Sequence, residues 1–338
     1  MQERIKYAFV TIIMGRILMN RITIYGLLLF TSILAESAQA ENGKLSGYMF
    51  GDYYYIASSD TEEREGENAL KFRRMYLTYD KSIDEGISTR FRLEASDAGL
   101  GSGKKMVPFV KHAYIKWGRY LWGGDLYIGL SGTPTWAHAE KAWGYRSIEK
   151  TVLDLNKIGS SADIGVSLKG KSGRLSYFAM VGNGPGQKSE DDEGKKVYGS
   201  LAFNVIESVV LEGYADYNFR SEGRSENTVK LFAGYRGDEF NGGVELFSRT
   251  NESGTGGGDE TISGFSIFGS QPIAEKIKAF ARFDAVQSDG ENVTDMLTIA
   301  GIDHSPRNNV HWMPNIYIEM PDTGDPNIQG RMTVYFKF

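Results

Sequence analysis

From Lys44 to the C-terminus, apolar and polar residues alternate with a period of two, in runs of about ten residues. That is the length a tilted strand needs to cross an outer membrane. Sixteen such runs can be drawn, at about 44–55, 69–81, 88–95, 108–117, 124–131, 160–169, 173–182, 196–205, 208–219, 227–236, 239–249, 260–269, 275–287, 292–303, 308–319 and 328–338. Helical periodicity is scarce. The pattern predicts an all-β fold, a transmembrane antiparallel β-barrel of about 16 strands.

The connections alternate in length. Short turns are predicted at Ile83-Asp84-Glu85-Gly86, Gly118-Arg119, Gly170-Lys171-Ser172, Ile206-Glu207, Gly237-Asp238, Gln271-Pro272 and Ser305-Pro306-Arg307. Between them lie longer polar stretches such as Ser59–Asn68, Asn183–Lys195 and Thr250–Glu260. Seven short turns and eight long loops suit a barrel with both ends in the periplasm. The faces are legible too: Met332, Val334, Phe336 and Phe338 share one side of the last run, and Arg331, Thr333, Tyr335 and Lys337 the other. Likewise Phe91, Leu93 and Ala95 stand opposite Arg90, Arg92 and Glu94, and Val209, Leu211, Gly213 and Ala215 opposite Glu212 and Asp216. A soluble sandwich would turn the same alternation inside out. Faces over 108–117 stay ambiguous, because Lys111 and Lys116 fall on opposite sides.

The N-terminus reads differently. Arg4, Lys6, Arg16 and Arg21 precede an apolar run from Ile22 to Ala35, and Ala38-Gln39-Ala40 follows. That is a secretory signal peptide over 1–40 with cleavage after Ala40, its apolar run shorter than a spanning helix needs. Met19 makes a tidier start than Met1, so residues 1–18 read as an overlong gene start. Residues 41–338 then form a single barrel domain in the outer membrane of a Gram-negative bacterium. Of the 338 residues none is cysteine, which removes disulfide scaffolds and zinc–thiolate sites. The formal charge of −5 becomes −7 once residues 1–40 are gone, which argues against a nucleic-acid partner. Tyr, Phe and Trp number 19, 18 and 5, in keeping with strands.

Two resemblances sharpen this. A terminal strand ending on Phe336 and Phe338 resembles the signal by which outer-membrane barrels reach their insertion machinery. The run Phe72-Arg73-Arg74-Met75-Tyr76-Leu77-Thr78-Tyr79, then Phe91-Arg92-Leu93-Glu94-Ala95, then Val110-Lys111-His112-Ala113-Tyr114-Ile115 resembles the opening hairpins of the phosphate-selective porin O and P family. That resemblance covers about residues 45–130. It implies a homotrimer of sixteen-stranded anion channels with a loop folded into each lumen, and it assigns no phosphate ladder to particular residues here.

The longest connection, Gly132 to Gly159, carries Trp136, His138, Glu140, Lys141, Arg146 and Glu149. A long loop in a compact domain needs a function or disorder to explain it, and its aromatic and aliphatic residues argue against disorder. It is read as the constriction loop inside the lumen, or else as a rim cap or a packing surface for a neighbouring subunit. Inward-facing bases are Arg74, Arg90, Arg92, Lys116, Lys169, Lys230, Arg236, Lys278, Arg282 and Arg331; inward acids are Asp80, Glu94, Asp163, Glu212, Asp216, Glu245 and Asp284. The excess leans toward anions. The plainer reading is that most of these charges are cross-strand ion pairs solvating a wide pore. Acidic clusters at Asp60, Glu62, Glu63, Glu65 and Glu67, and at Glu190 to Glu193, suit a solvated rim bridged to lipopolysaccharide better than a dedicated metal site.

Enzyme motifs fail one at a time. Gly99 to Lys105 looks like a phosphate loop, but Ala98 and Lys105 stand where a Walker motif needs glycine and Ser or Thr. His112, His138, His304 and His311 lack metal-ligand spacing, and His304-Ser305 is adjacent and at a predicted turn rather than spaced as in a barrel phospholipase. Three functional classes follow: a passive porin for small hydrophilic solutes and ions without cofactor; an occluded structural or adhesive barrel binding a surface partner through its acidic loops; and a secreted soluble β protein.

Overall fold

The computed structural model describes residues 43–97, 105–190, 193–254, 258–288, 294–321 and 323–338. The signal segment, most of the Gly99–Lys105 stretch, and Asp191 and Asp192 lie outside them. The described residues form strands β1 (Gly43–Ser58), β2 (Asn68–Asp84), β3 (Ile87–Ser96), β4 (Phe109–Leu121), β5 (Gly124–Gly132), β6 (Ala162–Ser172), β7 (Leu175–Gly182) and β8 (Lys196–Ile206). The second half comprises β9 (Val209–Phe219), β10 (Ser225–Arg236), β11 (Asn241–Glu252), β12 (Glu260–Ala274), β13 (Ile277–Ser288), β14 (Thr294–Arg307), β15 (Val310–Met320) and β16 (Asn327–Lys337). Each pairs with its sequence neighbour, and β1 pairs antiparallel with β16, closing a sixteen-stranded barrel. Closure leaves no free edge, which a sheet surrounded by hydrocarbon requires.

Strands run longer than the alternation alone indicates, so several turns move. The β12–β13 turn falls at 275–276 instead of Gln271-Pro272, and the β14–β15 turn at 308–309 instead of Ser305-Pro306-Arg307. Both prolines sit at register shifts within their ladders, between Pro272 and Ala274 and between His304 and Arg307. A residue without an N–H is tolerated at a bulge, so here proline marks a bulge and not a chain reversal. The β4–β5 turn likewise moves from Gly118-Arg119 to Trp122-Gly123. Both residues have positive φ, 50° and 74°, which matches the twist of the flanking strands.

The facing is that of a lipid-bound barrel. Along β9, Leu211, Ala215, Tyr217 and Phe219 are exposed outward while Glu212, Tyr214, Asp216 and Asn218 are buried inward. On β10, Leu231 is 64% exposed and its neighbour Lys230 2%. At the seam Phe338 and Gly47 exchange backbone hydrogen bonds of 2.9 and 3.1 Å. A methyl group on Gly47 would come within 2.5 Å of the Phe338 ring, so the glycine makes room for the terminal aromatic.

Candidate functional site: the lumen and its inward loop

The segment between β5 and β6 carries the two described α-helices, α1 (Ala137–Trp143) and α2 (Val152–Leu155). Ala-His-Ala-Glu-Lys-Ala is a run of mostly good helix formers after Pro134, and α1 stops at Gly144 with φ of 73°. Ile148, Val152, Leu153 and Ile158 are fully buried. Ala139, Ala142, Trp143, Tyr145 and Ile148 pack on Phe232 of β10, Phe268 of β12, Phe280 of β13, Ile299 of β14 and Met313 and Tyr317 of β15. Trp136, Val152, Leu153 and Ile158 pack on Phe247 of β11. These wall residues interrupt the polar inward face with a strip of aromatic and aliphatic side chains, and that strip holds the loop against one side of the barrel.

Charged groups tie the loop down at both ends and the middle. Arg73 Nη1 donates to the carbonyl oxygens of Ser147 and Ile148 at 3.0 and 2.7 Å, and the same guanidinium lies 3.5 Å from Glu149 and 3.4 Å from Asp52. Arg331 lies 3.9 Å from Glu149, and Trp143 Nε1 donates to the Glu149 carbonyl at 3.0 Å. Burial alone would raise the Glu149 carboxyl, but the Arg73 and Arg331 guanidinium groups outweigh it and hold it below its usual range. Arg282 donates to the Lys150 carbonyl while paired with Asp284. At the loop's start Lys230 donates to the Thr135 carbonyl at 2.7 Å; at its end Lys111 donates to Ser161 Oγ at 2.5 Å.

The remaining pore candidates are mostly paired. Arg74 and Lys111 each lie 3.1 Å from a different oxygen of Glu94. Lys111 reaches the lumen because β3 pairs Arg92 with His112 and Leu93 with Val110, leaving Lys111 as the extra residue of a bulge. The ambiguity over 108–117 ends there: Lys111 and Lys116 both face inward. Adjacent Arg73 and Arg74 also both reach inward ion pairs, against strict alternation. Arg90 makes a bidentate pair with Asp80 at 2.6 and 2.9 Å, while Arg92 donates to Thr78 Oγ1 at 2.8 Å and lies 5.6 Å from the Tyr76 ring centre. Glu212 and Glu245 flank Lys230 at 3.0 and 3.7 Å, and Lys196 bridges Asp216 and Glu226 at 3.2 and 3.3 Å. On the loop, Arg146 joins Glu140 and Asp154 at 3.1 and 3.0 Å. Trp136 is buried under the loop, His138 is half-buried, and Phe336 and Phe338 are exposed on the outer wall.

Several cations without a carboxylate within 4 Å, among the described residues, line two cavities at the short-turn end. A 460 Å³ cavity is lined by Lys141, Arg236, Lys278 and Lys337, and a 480 Å³ cavity by His138, Lys141, Lys169 and Lys171. Lys141 lines both. The carboxylates there are engaged: Glu140 with Arg146, Asp303 with His311 at 2.8 Å, Asp125 with Lys116 at 3.5 Å, Glu212 with Lys230. At the long-loop end a 620 Å³ cavity is mixed in sign, with Arg64, Arg73 and Arg331 among Asp52, Glu67, Glu149 and Glu319. Two of the free cations escape the sequence list. Lys171 falls in a predicted turn that is in fact β6, and Lys337 alternates with Arg331 and Tyr335 on a face that already signalled it.

A closed sixteen-stranded antiparallel barrel with an apolar outer wall and a polar interior is the outer-membrane barrel fold. The chain is similar to the anion-selective porin from Comamonas acidovorans, with a TM-score of 0.68 and 13% identity over 88% of this chain and 99% of that one. It is similar to the outer membrane channel DcaP of Acinetobacter baumannii, with a TM-score of 0.65 and 11% identity over 88% and 97%. The outer-membrane OmpT of Vibrio cholerae gives a TM-score of 0.64 and 10% identity over 88% and 97%. No family model and no curated protein matches the sequence.

Proposed function

We propose that the chain is a porin: a passive, water-filled channel in the outer membrane of a Gram-negative bacterium, passing small hydrophilic solutes and ions with a modest preference for anions. The observation that carries this reading is the loop, docked on one wall, together with an inner chamber whose cations outnumber its available carboxylates. The inward loop narrows the lumen, so size is selected there and sign in the chamber. The paired arginines, Arg90 above all, contribute little to that field, because Asp80 cancels it at short range. Screening keeps the preference modest, since the Debye length is about 8 Å at physiological salt. The outer wall meets lipid and, at its rim, lipopolysaccharide; Phe336 and Phe338 serve delivery to the insertion machinery. A trimer fits this reading, and an in-vitro folded OmpT of Vibrio cholerae has a trimer form.

The test is conductance of the purified protein in a planar bilayer, with the reversal potential measured in a KCl gradient. An open channel favouring chloride is expected. Replacing Arg236, Lys278 and Lys337 by glutamine together should move the reversal potential toward the cation side, and removing most of the inward loop should raise conductance. A barrel that inserts without conducting would overturn the channel reading in favour of an occluded structural or adhesive barrel.

A further inference from the structure

We infer that the 620 Å³ cavity at the long-loop end is a binding subsite for a zwitterion with an ammonium and a carboxylate on one carbon, the chemistry of a free α-amino acid with an apolar side chain. The inference rests on the channel reading and names a solute class for it. The lining holds four cations and four carboxylates, so the cavity as a whole favours neither an anion nor a cation. What it offers is one poorly neutralised charge of each sign. Arg73 engages Asp52 and Glu149, Arg64 engages Glu67 at 3.3 Å, and Lys71 is drawn to Asp97 at 4.0 Å. Glu319 of β15 has no cation within 4 Å among the described residues; its hydrogen-bond partner is the neutral Tyr317 hydroxyl. Arg331 of β16 comes no nearer than 3.9 Å to a carboxylate, that of Glu149, which Arg73 already engages.

The Arg331 guanidinium is already oriented for a carboxylate. It lies 3.6 Å from the centre of the Tyr317 ring, and stacking there fixes its plane. Its Nε and Nη2 both donate to the Gln329 side-chain oxygen, at 3.1 and 2.9 Å, in the fork geometry a guanidinium gives a carboxylate. The Gln329 amide is neutral, so the fork is filled in shape and left unfilled in charge. A solute carboxylate that displaces this amide gains charge-assisted hydrogen bonds in a geometry the wall has set up beforehand. Glu319 stands within reach of the ammonium of the same solute. Tyr317 pairs with Gln329 and Glu319 with Asn327, which makes Glu319 and Gln329 diagonal neighbours on the inward face, about 7–8 Å apart along the backbone and closer at their side-chain ends. Leu155 of α2 and the Tyr54 ring line the same cavity and supply apolar area for the solute's side chain. The volume lies within the range of about 300–1,000 Å³ usual for small-molecule sites.

The test uses the mature protein in a planar bilayer in KCl at neutral pH. The probes are leucine, isocaproate, which is leucine without its ammonium, and isoamylamine, which is leucine without its carboxylate. Leucine should reduce the current in a saturable manner, at about a tenth of the concentration that either single-charge analogue needs. Glu319→Gln should weaken the leucine block about tenfold or more and leave any effect of isocaproate unchanged. Gln329→Glu, which puts a resident carboxylate into the Arg331 fork, should weaken leucine and isocaproate alike. An open channel without a saturable leucine block, equal potency of leucine and either analogue, or an unchanged leucine block in either variant would overturn the subsite. So would a Glu319→Gln channel in which isocaproate weakens as much as leucine. Absence of any KCl conductance would overturn the channel reading instead. Calorimetric titration of leucine into the detergent-solubilised barrel and its Gln329→Glu variant would then decide the subsite by itself.

Discussion

Replacing Arg73 by methionine separates the two forces that hold the inward loop. The substitution removes the hydrogen bonds to the Ser147 and Ile148 carbonyls and the ion pairs to Glu149 and Asp52. It leaves two nearly buried carboxylates, with only Arg331 at 3.9 Å from Glu149. Removing one member of a buried charged cluster costs about 3–5 kcal/mol. Against this stand Trp143, Ile148, Val152, Leu153 and Ile158, all essentially buried on the wall. At about 1.5–3 kcal/mol each, they contribute on the order of 10 kcal/mol. Apolar docking wins, so the loop should stay in the lumen while 147–150 loosens. The assay is single-channel recording: mean conductance should change little and open-channel noise should rise. Noise identical to the parent protein, or a conductance equal to that of the loop-deleted channel, would refute the division of labour.

Other expectations follow from the same contacts. Leu231→Arg places a charge on the lipid face near the middle of β10 and should cost about 2–4 kcal/mol in urea unfolding. Glu212→Gln should also destabilise, because it strips the nearer carboxylate from a fully buried Lys230, but less, since Glu245 remains at 3.7 Å. Deleting Phe338 removes the two backbone hydrogen bonds to Gly47 that close the seam, and should leave protein in periplasmic aggregates instead of the heat-modifiable barrel form. The Glu149 carboxyl lies below its ordinary value of 4.5 in the folded protein, so its contribution to loop docking is complete above that value. It is lost only as the pH falls further, and open-channel noise should therefore be flat from neutral pH down to about 5 and rise below it. Removing Arg90 and Asp80 together, as Arg90→Gln with Asp80→Asn, should leave the reversal potential nearly unmoved, because the pair carries no net charge.

Much of the barrel was legible along the chain because strand facing is a local property. Side chains point alternately to lipid and to water, so β9 and β16 announce their two faces without reference to any neighbour. Turn positions were less legible, since Pro272 and Pro306 look locally like chain reversals and become bulges only when a partner strand continues past them. The loop is intermediate. Its length and its Trp136, Val152 and Leu155 called for a packed segment, but the wall it packs on is spread over β10 to β15 and has no signature in any one strand.

Charge is where local reading stopped. The sequence by itself determined which residues carry charge and, for most strands, that they face water, because those follow from composition and a period of two. Which charges remain free is a pairwise property of residues brought together by closure. Arg90, counted among the inward bases, is cancelled by Asp80 across one ladder; Lys111, whose face the alternation left open, is turned inward by a bulge against β3. Lys141, Lys169 and Lys171, scattered over 31 positions, share one chamber only because the loop lies across the lumen from its β10–β15 wall. Electrostatic fields sum over distances in space and not along the chain, so the tertiary structure alone decides where the lumen is neutral and where it is basic.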